Sequence, residues 1–94
     1  MEYELTNQFL RDIKRYKTDK TFVRAIGARI NETISAKDLN DIHGLVLIRG
    51  TTAHFRFKIK SGNTTYRIGI KKLKNVIWFS CVENNKSRFY KGFP

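Results

Sequence analysis

A chain of 94 residues holds one domain, and 40% hydrophobic with 13% aromatic residues is enough for one modest core. Its formal charge of +11 asks for an anionic partner. No apolar run approaches the roughly 20 residues of a membrane span, the first ten residues lack the basic-then-apolar layout of a secretory leader, and one cysteine cannot form an internal disulfide, so a cytoplasmic protein without membrane association is expected.

Residues 2–5 read as a short first strand. Phe9, Leu10, Ile13 and Tyr16 then recur at helical spacing, with Thr6 or Asn7 as cap. After the polar turn KTDK, a second stripe of Phe22, Val23, Ile26, Ile30 and Ile34 predicts a helix over 20–35, capped by Thr18 or Asp19. Gly27 leaves room for close helix packing, and the two helices are expected to pair and bury their apolar faces. SAKDLNDIHG reads as turn and linker, and LVLIRG as a short apolar run.

The period then becomes two. In HFRFKIK, residues 54–60, Phe55, Phe57 and Ile59 alternate with His54, Arg56, Lys58 and Lys60. SGN is a turn, and YRIGIKK sets Tyr66, Ile68 and Ile70 against Arg67, Gly69 and Lys71. After the turn LKN, VIWFSCV suits an interior strand, with Trp78 in the core and Cys81 a buried small hydrophobe. ENNKSRFYKGFP closes the chain without a clear period. Helices grouped before strands give an α+β domain spanning 1–94, of order βααβββ, with the helix pair on one face of an antiparallel sheet.

The charge is uneven along the chain. Residues 1–41 hold eight Lys/Arg and seven Asp/Glu; residues 42–94 hold eleven Lys/Arg and one acid, Glu83. The sheet face opposite the helices is expected to be uncovered and cationic, with Gly69 leaving room among Arg56, Lys58, Lys60 and Arg67. Such a face seats a nucleic-acid backbone. Two histidines and one cysteine lack metal-site spacing, and His43 reads as a surface turn residue. There is no glycine-rich phosphate loop, no Ser-His-Asp grouping, and no sign of a cofactor.

The segments IHGLVLIRG leading into HFRFKI, then YRIGI, then FYKGFP, in this order, resemble the RelE/ParE-type toxins of bacterial and archaeal toxin–antitoxin pairs. The resemblance covers almost the whole chain and implies a βααβββ toxin domain silenced by a short, often acidic antitoxin. RelE-like members bind the ribosomal A site and cut mRNA there; the ribose 2′-hydroxyl attacks the adjacent phosphodiester. ParE-like members share the fold and inhibit DNA gyrase.

Carried onto this chain, the resemblance implies Arg56 and Lys58 as the paired basic residues before the SG turn, Arg67 after Tyr66, Tyr90 near the C-terminus, and Lys86 or Arg88 as the basic residue ahead of it. Where many relatives read H-R-x-x-x-Y, this chain has Asn85-Lys86, which weakens histidine-based acid–base chemistry. Lys58, hemmed by Arg56 and Lys60, is the candidate general base, since like charges favour the neutral form of one member. Arg56 and Arg67 suit charge stabilisation. Tyr90 would orient the hydroxyl or stack on a base. His54, Lys60, Lys71, Lys72 and Lys91 are read as wider RNA contacts. A ribosome-dependent mRNA endonuclease is the leading reading; a ParE-like gyrase inhibitor, or an inactive relative that only binds its antitoxin or a nucleic acid, are the alternatives.

Overall fold

The alternating segments become the middle of a five-stranded sheet. In the computed structural model, which describes residues 1–94, the elements are β1 (Glu2–Leu5), α1 (Asn7–Arg15), α2 (Lys20–Ser35), β2 (Val46–Leu47), β3 (His54–Ser61), β4 (Thr64–Leu73), β5 (Val76–Glu83) and α3 (Lys86–Gly92). The sheet order is β1-β5-β4-β3-β2, with β1 parallel to β5 and every other pair antiparallel. The expected α+β plan is present, with two additions. β2 is a two-residue edge strand, too short for a readable period, and α3 spans only two turns. Thr64 and Thr65 belong to β4, so the β3–β4 turn is two residues long, with Gly62 supplying the positive φ of 59°. No helix is long and apolar enough to cross a membrane.

Of the alternative caps, Thr6 accepts from the Phe9 N–H and Asp19 from the Phe22 N–H. The two helices were expected to pack on each other. Instead α1 lies on β5, and α2 lies on β3 and β1. Phe9, Phe22 and Ile26 meet Phe57, Ile59, Tyr66, Ile68, Ile70, Ile77, Phe79 and Val82 in one core. Each stripe is wider than the sheet covers, so Leu10, Val23 and Ile34 stay exposed. Gly27 has no neighbour within 4 Å and mediates no close packing.

β5 carries one residue too many. Gly69 pairs with Cys81 and Ile70 with Phe79, so Ser80 bulges from the ladder. Ile77 and Phe79 before the bulge and Val82 after it all join the core. β1 ends opposite Phe79, which leaves the outer edge of β5 without a strand beyond that point. Side chains from the cap and the body of α1 take over. Thr6 Oγ1 donates to the Ser80 carbonyl at 2.9 Å, and Asp12 Oδ2 accepts from the Val82 N–H at 2.8 Å. Asp12 is only 2% exposed, and Gln8 Nε2 donates to its other oxygen at 2.7 Å. Replacing Asp12 with alanine strands a buried N–H, and urea denaturation should show a loss of about 2–3 kcal/mol.

A second polar anchor ties α2 to the hairpin. Asp19 accepts from Tyr66 OH and from Ser61 Oγ, both at 2.7 Å, while Tyr66 stacks on Phe22 with centroids 4.1 Å apart. The donors hold the Asp19 carboxyl below its usual range, Tyr66 most of all. Burial, then the Asp19 hydrogen bond, push the Tyr66 phenol up to about 12. The folded state therefore keeps a proton that the unfolded chain loses near pH ~10. This contribution is whole below the unfolded value and disappears as pH rises to about 12. Urea melts across that window should fall less steeply for Tyr66→Phe than for the parent.

Candidate functional site

Pairing of β3 with β4 sets three rows on the face away from α1 and α2. Lys58 stands opposite Arg67, Arg56 opposite Gly69, and His54 opposite Lys71. β5 extends the rows with Glu83, Cys81 and Trp78. This face is not uncovered, as the sequence suggested. α3 packs across it on β5, with Phe89 and Phe93 buried. A Cβ built on Gly69 would lie 2.8 Å from both Cys81 Sγ and a Phe93 ring carbon. The room left by Gly69 thus receives Phe93 rather than standing open among cations. His54 meets Phe93 edge-on, centroids 5.3 Å apart. Asn85, at the place of the histidine in the resembling toxins, caps α3 by accepting from the Arg88 N–H at 2.9 Å.

The docked α3 carries Tyr90 over the cations. Arg56 Nε donates to Tyr90 OH at 3.2 Å. Burial draws the phenol's pKa upward, but the Arg56 hydrogen bond and the charges of Arg56 and Arg67 outweigh it and hold it below the ordinary tyrosine value. Arg67 Nε is buried without a partner, a donor suited to an anionic oxygen. Between α3 and the β2 edge opens a cleft of about 580 Å³, lined by Val46, Leu47, Ile48, Arg49, Arg56, Lys86 and Tyr90. Arg49 and the aliphatic wall were not singled out from sequence. An apolar hexapeptide reads as core, and only the edge position of β2 shows that Val46 and Leu47 stay nearly half exposed.

Arg56, Arg67, Tyr90 and Lys86 are therefore brought together. Lys58 is exposed on the same face, facing Arg67 across the strands, and Lys60 lies one step nearer the turn. Arg88 points elsewhere. Its Nη2 donates to Glu83 Oε1 at 3.1 Å and Asn84 Oδ1 at 3.3 Å, and Glu83 also accepts from Tyr16 OH at 3.2 Å. Lys72 pairs with Ile77 and shares the strand parity of Ile68 and Ile70, so it stands on the helix side, beside Lys37 and Leu39. Lys91 is exposed on α3 and does not line the cleft. Trp78, expected in the core, is half-buried on the cationic face because the inward places of β5 belong to Ile77 and Phe79. Burial pushes the Cys81 thiol up to about 12, the state of an inert thiol. His43 is exposed, and its N–H donates to Glu32.

No protein-family model matches the chain, and no curated protein matches it in sequence. Solved structures do. A chain of the RelB–RelE antitoxin–toxin complex from Methanococcus jannaschii superposes with a TM-score of 0.68 at 26% identity, covering 96% of this chain and 98% of that one. YafQ from E. coli strain BL21(DE3) superposes with a TM-score of 0.65 at 12% identity, covering 94% and 97%. The second likeness is one of fold.

The Gly69–Phe93 fit makes Tyr90's surroundings testable without any substrate. Gly69→Ala should expel Phe93, cost about 1–3 kcal/mol, and loosen Tyr90 from Arg56. In an ultraviolet titration, one tyrosine of the parent should ionise below the ordinary range. Both Gly69→Ala and Arg56→Ala should move that ionisation upward.

Proposed function

We propose that this chain, whose fold is that of the RelE-type toxins, is the toxin of a toxin–antitoxin pair and acts as a ribosome-dependent endoribonuclease on mRNA. The observation that carries the reading is the Arg56–Tyr90 hydrogen bond beside Arg67, at the floor of an open cleft on a cationic sheet face. The partner that silences it is an antitoxin, as RelB accompanies RelE in the Methanococcus jannaschii complex.

In the proposed reaction the 2′-oxygen of a ribose forms a bond to the adjacent phosphorus, and the bond from phosphorus to the 5′-oxygen breaks. The products are a 2′,3′-cyclic phosphate and a 5′-hydroxyl. Lys58 takes the proton of the 2′-hydroxyl. Arg56 and Arg67 carry the charge that builds on the phosphorane oxygens, and they stay protonated while doing so. Tyr90, its hydroxyl held by Arg56, orients the attacking ribose. Lys86, at the mouth of the cleft, delivers a proton to the leaving oxygen. Arg88, engaged with Glu83, is the weaker candidate for that task.

Brief induction in cells followed by primer extension on mRNA tests the reading. In-frame breaks within translated regions are expected. Lys58→Ala and Tyr90→Phe should reduce them by about 10²–10⁴-fold, the scale of a lost proton-transfer group. Lys86→Ala should reduce them more than Arg88→Ala does. Growth arrest without breaks would overturn the nuclease reading.

A further inference from the structure

The row beyond Phe93 holds a group of residues that the cleft does not use. His54, Lys71 and Trp78 stand side by side on β3, β4 and β5, on the face that carries Arg56 and Tyr90. α3 stops short of them, with Phe93 touching His54. Beside the indole lies a hollow of about 240 Å³ lined by Thr6, Lys71, Leu73, Trp78 and Ser80. Leu73 is 51% exposed, while Ile77 and Phe79 close the core on the other side of β5 without help from the indole. An accessible aromatic face next to an ammonium is the pairing that binds unpaired bases and their phosphates.

Charge fixes the direction of the track. From Lys60 the cations run through Lys58, Arg67 and Arg56 to Lys71, which pairs with His54. On the far side of Trp78, β1 brings Glu4 alongside the indole and Glu2 alongside Val76. A polyanion is therefore drawn as far as Trp78 and repelled from β1. Two strand spacings across and one residue pair along place Trp78 about 12 Å from Arg56, a short stretch of extended strand away.

We propose that Trp78 and Lys71 form a second subsite for single-stranded RNA, the indole stacking on a base flanking the cleavage point and the ammonium meeting a neighbouring phosphate. The subsite rests on the RNA-cleaving reading above and adds a handhold outside the reacting atoms. Stacking accepts any base, so the site contributes grip rather than sequence choice.

Trp78 is the only tryptophan, so its emission reports the subsite alone. The probe is a short single-stranded RNA with 2′-O-methyl riboses, which blocks self-cleavage. Titration at low salt should quench the indole. Trp78→Leu should bind roughly 5- to 100-fold more weakly, the loss of one base–aromatic stack. Lys71→Ala should reduce the salt slope by about one, and this exposed substitution keeps the test intact if the Trp78 variant misfolds. Glu4→Gln should tighten binding. RNA binding that needs Arg56 but leaves Trp78 emission unmoved, with Trp78→Leu and Lys71→Ala equal to the parent, would overturn the subsite and spare the RNA reading. No RNA binding by the parent protein would overturn both.

Discussion

Burial of one side of the β3–β4 hairpin is the interaction on which the molecule rests. Phe57, Ile59, Tyr66, Ile68 and Ile70 are almost wholly buried beneath Phe22 and Ile26. Each large side chain moved from water contributes about 1.5–3 kcal/mol. The same strands hold Arg56, Lys58, Lys60 and Arg67 on their other side. Like charges two residues apart along a strand, about 7 Å, repel by about 0.6–2.4 kcal/mol per pair between aqueous and near-surface screening. The apolar side outweighs that repulsion because strand geometry gives neither side the option of moving alone. The site is thus a set of cations held close by a core they do not touch, ready for an anion that lowers their mutual repulsion.

The second half of the design is how α3 is held on a charged surface. Two aromatic side chains, Phe89 and Phe93, anchor it, and the only acid of the basic half, Glu83, ties down Arg88 at its first turn. Glu83 also accepts from Tyr16 at the end of α1, so the helix that docks on one face of β5 is linked to the helix that docks on the other. Occupying Arg88 in this way keeps one cation out of the cleft while Lys86, two residues earlier, lines it.

Period two made the hairpin and its two faces legible, because alternation over seven residues leaves little choice of face. Residue chemistry made Thr6 and Asp19 legible as possible caps. Other features depend on partners that lie far away in sequence. Asp12 is buried because β1 stops at Leu5 and an edge N–H 70 residues downstream needs an acceptor. Lys72 sits next to Lys71 but serves the opposite face, a matter of strand parity. Trp78 was read as core since an apolar run does not say which of its members point inward. α3 carries too few residues for a stripe, and its place was set by a glycine on another strand. Resemblance supplied Tyr90; only the packing of Phe93 on Gly69 explains how that tyrosine reaches Arg56.

The extra residue in β5 has a consequence for how this fold can change over time. Ser80 works as a phase shift: before it, odd-numbered positions face the core, and after it, even-numbered ones do. Drawn into the ladder as an ordinary residue, Ser80 would turn Glu83 inward and Val82 outward; left out as a bulge, it lets Phe79, Cys81 and Val82 pair with three consecutive residues of β4. Lineages descending from this sequence are therefore free to lose that one residue without exchanging the faces of β5, because the remaining residues already alternate as a regular strand. The bulge behaves like a spliced-out letter that the two faces of the sheet do not read.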